Sequence, residues 1–245
     1  MIMRSVDEHF EELNVSIMKR SGVSSVKILI MKIALIAGAN GLTGSYLLEQ
    51  LLESDRYDRV KALVRRPLDR EHSKLEPIVF DYDHPEPELI EADHVYCCLG
   101  TTMKKAGSKE AFRKVDHDYP LEIARMAYRN GARRFALVSA VGANSRSMFY
   151  YNRVKGQLEA DLQEIPFQSV YIMRPSMLLG PRKEKRTGEE LGKAVMKPLS
   201  FLFPSNMKPV HVSQVAACMV DHMNRDEPGV HVIPSGQMLA YPART

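Results

Sequence analysis

From Ile33 onward, apolar and polar positions come in alternating blocks. Ile33 to Ala37 is a continuous apolar run of buried-strand length, and after a glycine-rich turn Tyr46, Leu47, Leu48, Leu51 and Leu52 recur at helical spacing. That is one strand followed by one helix. Val60 to Val64, Ile78 to Phe80, Val95 to Leu99, Phe135 to Val138 and Val170 to Met173 are further short apolar runs, most of them separated by polar or helical segments. Such alternation predicts an α/β fold, a doubly wound parallel sheet with helices on both faces. Ser108 to Asn130 is the longest helical stretch, and Pro120 should break or kink it into two pieces. After Pro175 the order weakens. A basic loop (Arg182 to Arg186), an apolar stretch (Val195 to Phe203) and prolines at 198, 204 and 209 predict a small C-terminal cap over about residues 180–230.

The chain has 245 residues, enough for one large domain with a small appendage. Residues 1–30 mix acids with scattered apolar positions and read as an N-terminal extension; residues 31–245 read as the domain proper, starting at Met31-Lys32-Ile33. At 44% hydrophobic and 26% charged residues, the composition excludes a disordered or fibrous chain. The longest mainly apolar run, Val26 to Ala39, is interrupted by Lys27 and Lys32 and is too short to span a bilayer, so no membrane partner is expected. Three cysteines, Cys97, Cys98 and Cys218, make neither a disulfide framework nor a zinc site, and a cytoplasmic location is the expectation. No histidine pair has ligand spacing on a helix, so no metal is expected. The net charge of +4 is spread along the chain, which suits a phosphate-bearing small molecule as well as nucleic acid.

Gly38, Gly41 and Gly44 form a GxxGxxG turn between the first strand and the first helix. Glycines there allow a tight turn and let a pyrophosphate approach the backbone at the positive end of the helix. A triphosphate-binding loop would need a Lys after its last glycine, and Ser45 stands there instead. The bland reading is a tight turn with no ligand. At the end of the second strand, where an NAD site would place an acid, the chain has Arg65-Arg66, which suits the 2′-phosphate of NADP(H) or simply solvates a loop. Asp81 ends the third strand as an adenine contact or a helix cap.

Tyr151 and Lys155 lie four apart, on one helix face, and Ser139 stands twelve residues before Tyr151 at a strand end. This set suits hydride chemistry. The Tyr hydroxyl would move the proton, a nearby ammonium would favour its phenolate, Lys155 would also hold the nicotinamide ribose, and Ser139 would orient the substrate oxygen. Tyr150 has Val154 four residues on and cannot take the same part. Cys97 and Cys98 are redox sensors or inert strand packing. His211 reads as a structural residue at a strand-to-helix junction. The basic run Arg182 to Arg186 lacks interleaved aromatics, so it reads as a solvated loop lending Arg186 to the cofactor phosphates rather than a nucleic-acid patch. Met196 to Phe203 lines an apolar pocket or packs the cap.

Together with Cys97-Cys98-Leu99-Gly100-Thr101-Thr102, Lys105-Ala106-Gly107, Val115-Asp116, Asp118-Tyr119, Lys155-Gly156 and Arg174-Pro175, these motifs resemble the atypical short-chain dehydrogenase/reductases of the HIV Tat-interacting oxidoreductase type. The resemblance covers about residues 31–235 and implies a Rossmann-type fold. It implies that Asn40, Gly41, Leu42, Thr43, Arg65, Arg66, Leu99, Gly100, Tyr151, Lys155, Leu178 and Arg186 line an NADP(H) site. Leu42 stands where that type has an acid, and Ala140 where it has a second Ser. The expected function is hydride transfer between NADP(H) and a carbonyl or alcohol. The alternatives are a non-catalytic NADPH-binding sensor that recruits protein partners, or a nucleotide-sugar epimerase or dehydratase, for which the segment after Leu179 leaves little room. A homodimer is compatible with either.

Overall fold

The computed structural model describes residues 32–181 and 207–244. In chain order the elements are β1 (Ile33–Ala37), α1 (Leu42–Glu53), β2 (Arg59–Val64), β3 (Leu75–Val79), β4 (His94–Cys97), α2 (Met103–Ala106) and α3 (Lys109–Arg113). A π turn (Lys114–Asp118) leads into α4 (Tyr119–Arg129), β5 (Arg134–Val138), α5 (Tyr150–Gln163), β6 (Ser169–Arg174) and β7 (Leu178–Leu179). After the undescribed segment come β8 (Val210–His211), α6 (Val212–Met223), β9 (Gly229–Pro234) and α7 (Ser235–Met238).

Seven strands form one parallel sheet in the order β3-β2-β1-β4-β5-β6-β9. The expected doubly wound fold is present. Helices cover both faces of the central strands, which is why those strands read as unbroken apolar runs. On one face Ile36, Ala62, Tyr96 and Met173 pack with Leu47, Leu48, Leu51 and Leu52 of α1 and Val215, Cys218 and Met219 of α6. On the other, Leu35, Val95, Phe135 and Ile172 pack with Ile123, Ala124 and Ala127 of α4 and Leu158 and Leu162 of α5. Each fully buried Leu of α1 contributes roughly 1.5–3 kcal/mol over an exposed one, so this face anchors the helix that opens at the glycine turn. Pro77 is tolerated in β3 because β3 is an edge strand.

Three boundaries differ from the sequence expectation. The third strand starts at Leu75 rather than Ile78. The fourth stops at Cys97 rather than Leu99, because the chain beyond Cys98 leaves the sheet to run against the Gly38 turn: a Cβ on Gly38 would lie 2.8 Å from the Cys98 carbonyl. Within the span expected as a cap, α6 packs with α1 on the main core, and β9, which begins at the end of that span, extends the main sheet, so both belong to the central domain. The remainder, with Arg186 and Met196 to Phe203, lies outside the described residues.

Strand order changes direction between β1 and β4, which pair side by side with Ala37 opposite Cys97. The carboxyl ends of these two strands flank the crevice where open parallel sheets hold their ligands.

Candidate active site

The glycine turn is built by close approach. Gly38 has φ +88, a backbone that side chains disfavour, and its carbonyl accepts from Gly41 N at 2.9 Å. A Cβ on Gly44 would meet that same carbonyl oxygen at 2.0 Å. Gly41 caps α1 without a side chain, and no acid occupies the first turn. The leading N–H groups of α1, at Leu42, Thr43 and Gly44, have no acceptor within the helix and lie at its positive end, and Asn40 just before it is exposed. This is a cradle that fits a pyrophosphate.

Arg65 and Arg66 follow β2 directly, both exposed, and neither forms an ion pair among the described residues. Two guanidiniums without an ion-pair partner among the described residues suit a phosphate group. Asp81 caps a local turn instead of a helix: its carboxylate accepts from Asp83 N at 2.9 Å and lies 3.0 Å from His84 Nδ1, and these bonds hold it below the usual carboxylate range. Leu99 is half-buried and Gly100 exposed beyond β4, and Leu178, half-buried, pairs with Val210 across the two-stranded β7-β8 ladder.

Tyr151 and Lys155 both lie on α5, as their spacing predicts. The ring of Tyr151 packs on Phe112 of α3 with centroids 5.6 Å apart, while its hydroxyl has no hydrogen-bond partner among the described residues. Neighbouring Tyr150 is already committed, donating to the Lys109 carbonyl at 2.8 Å. Lys155 is buried, with Nζ 2.9 Å from Asp116 Oδ1. Burial works against its ammonium, yet Asp116 first, and then Tyr151, outweigh burial and hold the lysine above its ordinary pKa. The start of α5 is fixed by the loop before it. A Cβ on Gly156 would lie 2.2 Å from Asn144 and Ser145 backbone, Asn144 N donates to the Asn152 carbonyl at 3.0 Å, and Arg153 Nη1 donates to the Ser147 carbonyl at 2.8 Å.

Ser139 departs from expectation. It directly follows β5, but it is buried, and its hydroxyl donates to Glu159, the residue one turn after Lys155 on α5. Arg174 at the end of β6 grips the same carboxylate, with Nε 3.1 Å from Oε1 and 3.2 Å from Oε2. The cysteines are inert packing. Burial pushes the Cys97 thiol up to about 11 and Cys218 to about 12, and raises Cys98 as well. His211 is structural, as expected: it caps α6 in a reciprocal pair with Gln214.

Sequence reasoning passed over the part played by Asp116. The helix from Lys109 to Arg129 does not break at Pro120. It widens just before it, and Tyr119 N reaches back five residues to the Lys114 carbonyl. Pro120 has no N–H to return to the carbonyl of Asp116, which a regular α turn would require. The widened turn buries Asp116 and His117. His117 then ties the turn to α5, its ring nitrogens each 2.8 Å from Asp118 and Asp161 carboxylates. The signal in the sequence was Val115-Asp116, with Asp116 four residues ahead of a helical proline.

Against known proteins, the profile of the NAD(P)H-binding family matches residues 38–226, from the first glycine of the cradle to beyond α6. The chain belongs to the NAD(P)H-binding family. It is 36% identical over 213 residues to Protein HTATIP2 of Rattus norvegicus, covering 84% of each chain. It is 33% identical over 216 residues to "Protein FMP52, mitochondrial" of Eremothecium gossypii, covering 84% of this chain and 96% of that one. In structure it resembles MoeE5, solved with UDP-glucuronic acid and NAD, at a TM-score of 0.65 and 18% identity over 81% of this chain and 74% of that one. A UDP-N-acetylglucosamine 4-epimerase from Methanobrevibacter ruminantium M1 gives 0.64 at 14% identity, over 83% and 76%. These likenesses show the fold. Family members named as mitochondrial overturn the cytoplasmic expectation. No described helix of this family member is long and apolar enough to cross a membrane.

Proposed function

We propose that the protein is an NADP(H)-dependent oxidoreductase that interconverts a carbonyl compound and its alcohol. The observation that carries this reading is the hydroxyl of Tyr151, without a hydrogen-bond partner among the described residues, one helical turn from the buried ammonium of Lys155. The bound nicotinamide supplies or accepts the hydride. The chain's own part is the proton: Tyr151 donates it to the carbonyl oxygen during reduction or takes it from the alcohol during oxidation. Lys155, a cation fixed by its ion pair with Asp116, holds the nicotinamide ribose. Leu42, Thr43 and Gly44 N–H groups take the pyrophosphate, and Arg65 and Arg66 take the 2′-phosphate by charge-assisted hydrogen bonds. Ser139, engaged by Glu159, belongs to the frame behind the site.

A nucleotide-sugar substrate is supported only by the fold of distant neighbours. The mitochondrial relatives make that compartment the first place to look for this protein. The test is to identify any co-purified dinucleotide, then to follow NADPH oxidation over a panel of aldehydes, ketones and quinones. Turnover on that panel supports the reading. NADPH binding without turnover on any of them, or on UDP-sugars, replaces it with a sensor.

A further inference from the structure

Lys155 is a cation sunk in the protein. Its neighbours are Asp116 on the π turn, Tyr151 on its own helix, and Cys97 and Cys98 at the end of β4. Only Asp116 among them is a carboxylate. Asp116 is itself 1% exposed and is held from two sides. Oδ2 accepts from Thr101 N at 2.7 Å, and Oδ1 faces the Lys155 ammonium, with Nζ 2.9 Å away. The segment after β4 passes directly over it: a Cβ on Gly100 would lie 3.3 Å from Asp116 Oδ1 and 3.6 Å from Lys155 Nζ. Glycine at 100 lets the backbone pass close over the pair without a side chain pressing on it. A widened helical turn is an unfavourable way to build a helix unless something is gained from it. What this one places is a carboxylate beside the amine.

We infer that Asp116 is the positioning residue of the site, keeping the Lys155 amine both charged and pointed at the crevice beneath Gly100. This rests on the oxidoreductase reading above. An unpaired amine at this depth would give up its proton, and a neutral amine attracts the cofactor's ribose oxygens less strongly. The carboxylate removes that instability without touching the substrate.

The test uses four full-length proteins: wild type, Asp116→Asn, Lys155→Met, and the double variant. Asparagine keeps the acceptor for Thr101 N–H and removes only the charge. NADPH affinity is followed by the cofactor's own fluorescence, which no tryptophan obscures because the chain has none. Wild-type affinity should hold steady from about pH 6 to about pH 8.5. In Asp116→Asn it should fall by roughly tenfold across that range, as a buried amine without its partner titrates. In the Lys155→Met background the same change at Asp116 should alter neither affinity nor its pH dependence. Thermal unfolding reads the pair without cofactor: each single variant loses stability, and the double variant, with both charges gone, recovers part of it. Should Asp116→Asn fail to fold, recovery of folding in the double variant carries the same meaning. A loss of affinity equal at every pH, or one that persists in the Lys155→Met background, would make Asp116 merely structural. A wild type that binds no dinucleotide ends the oxidoreductase reading, and the role of Asp116 with it. The ion pair then stands alone in the unfolding data.

Discussion

Gly44 stands so close to Gly38 that a Cβ on it would fall 2.0 Å from the Gly38 carbonyl oxygen. Backbone rather than a flexible side chain fills that space, so neither partner yields cheaply. Gly44→Ala must push α1 away from the end of β1 and spoil the cradle. The overpacking cost is about 1–3 kcal/mol, a fall of several degrees in Tm for a domain of this size. NADPH binding should weaken at the same time, and a titration of the folded variant checks it.

The two arginines after β2 give a test of cofactor preference. NADPH should bind at least tenfold tighter than NADH, a difference of about 1.4 kcal/mol. Replacing Arg65 and Arg66 together by Ala should erase the gap by weakening NADPH alone. Equal weakening of both dinucleotides would mean that the guanidiniums do not read the 2′-phosphate.

Ser139→Ala should act on stability more than on chemistry. It removes one buried hydrogen bond to Glu159 and leaves Arg174 to hold that carboxylate, at a cost of about 1–3 kcal/mol. Turnover should fall far less than the roughly 10² expected for losing an acid-base group. A drop on that larger scale, with Tm unchanged, would return Ser139 to the substrate.

His94 makes the fold acid-sensitive. Its ring is buried with Nδ1 2.7 Å from the Tyr57 hydroxyl, which lies 2.6 Å from that of Tyr96. Burial, helped by Lys32 and Arg134, pushes its pKa down to about 3. The unfolded chain takes up this proton near pH ~6.5 and the folded one does not, so the contribution is intact above ~6.5 and is lost as the pH falls toward the folded value. Stability should drop by up to about 1.4 kcal/mol per pH unit in that window. Between pH 6.5 and pH 5, where most carboxylates stay ionised, His94→Gln should show a flatter profile by denaturant unfolding.

Local features were legible in the sequence. The glycine turn is read from three positions lying between a strand and a helix, and Tyr151 with Lys155 from a spacing within one helix. The partners of Lys155 and Ser139 were not, because each arrives from another element. Asp116 reaches Lys155 only through the π turn ahead of Pro120. Glu159 reaches Ser139 only when α5 packs beneath β5. The edge strand β9 was also missed: Val230 and Val232 are exposed, and nothing in its short run distinguishes a sheet edge from a loop.

Removal of one hydroxyl tests the central claim. Tyr151→Phe keeps the ring against Phe112, so Tm and NADPH affinity should match wild type. With the best carbonyl from the panel, turnover should fall by roughly 10² or more. Unchanged turnover in Tyr151→Phe would contradict the assignment of the proton to this residue.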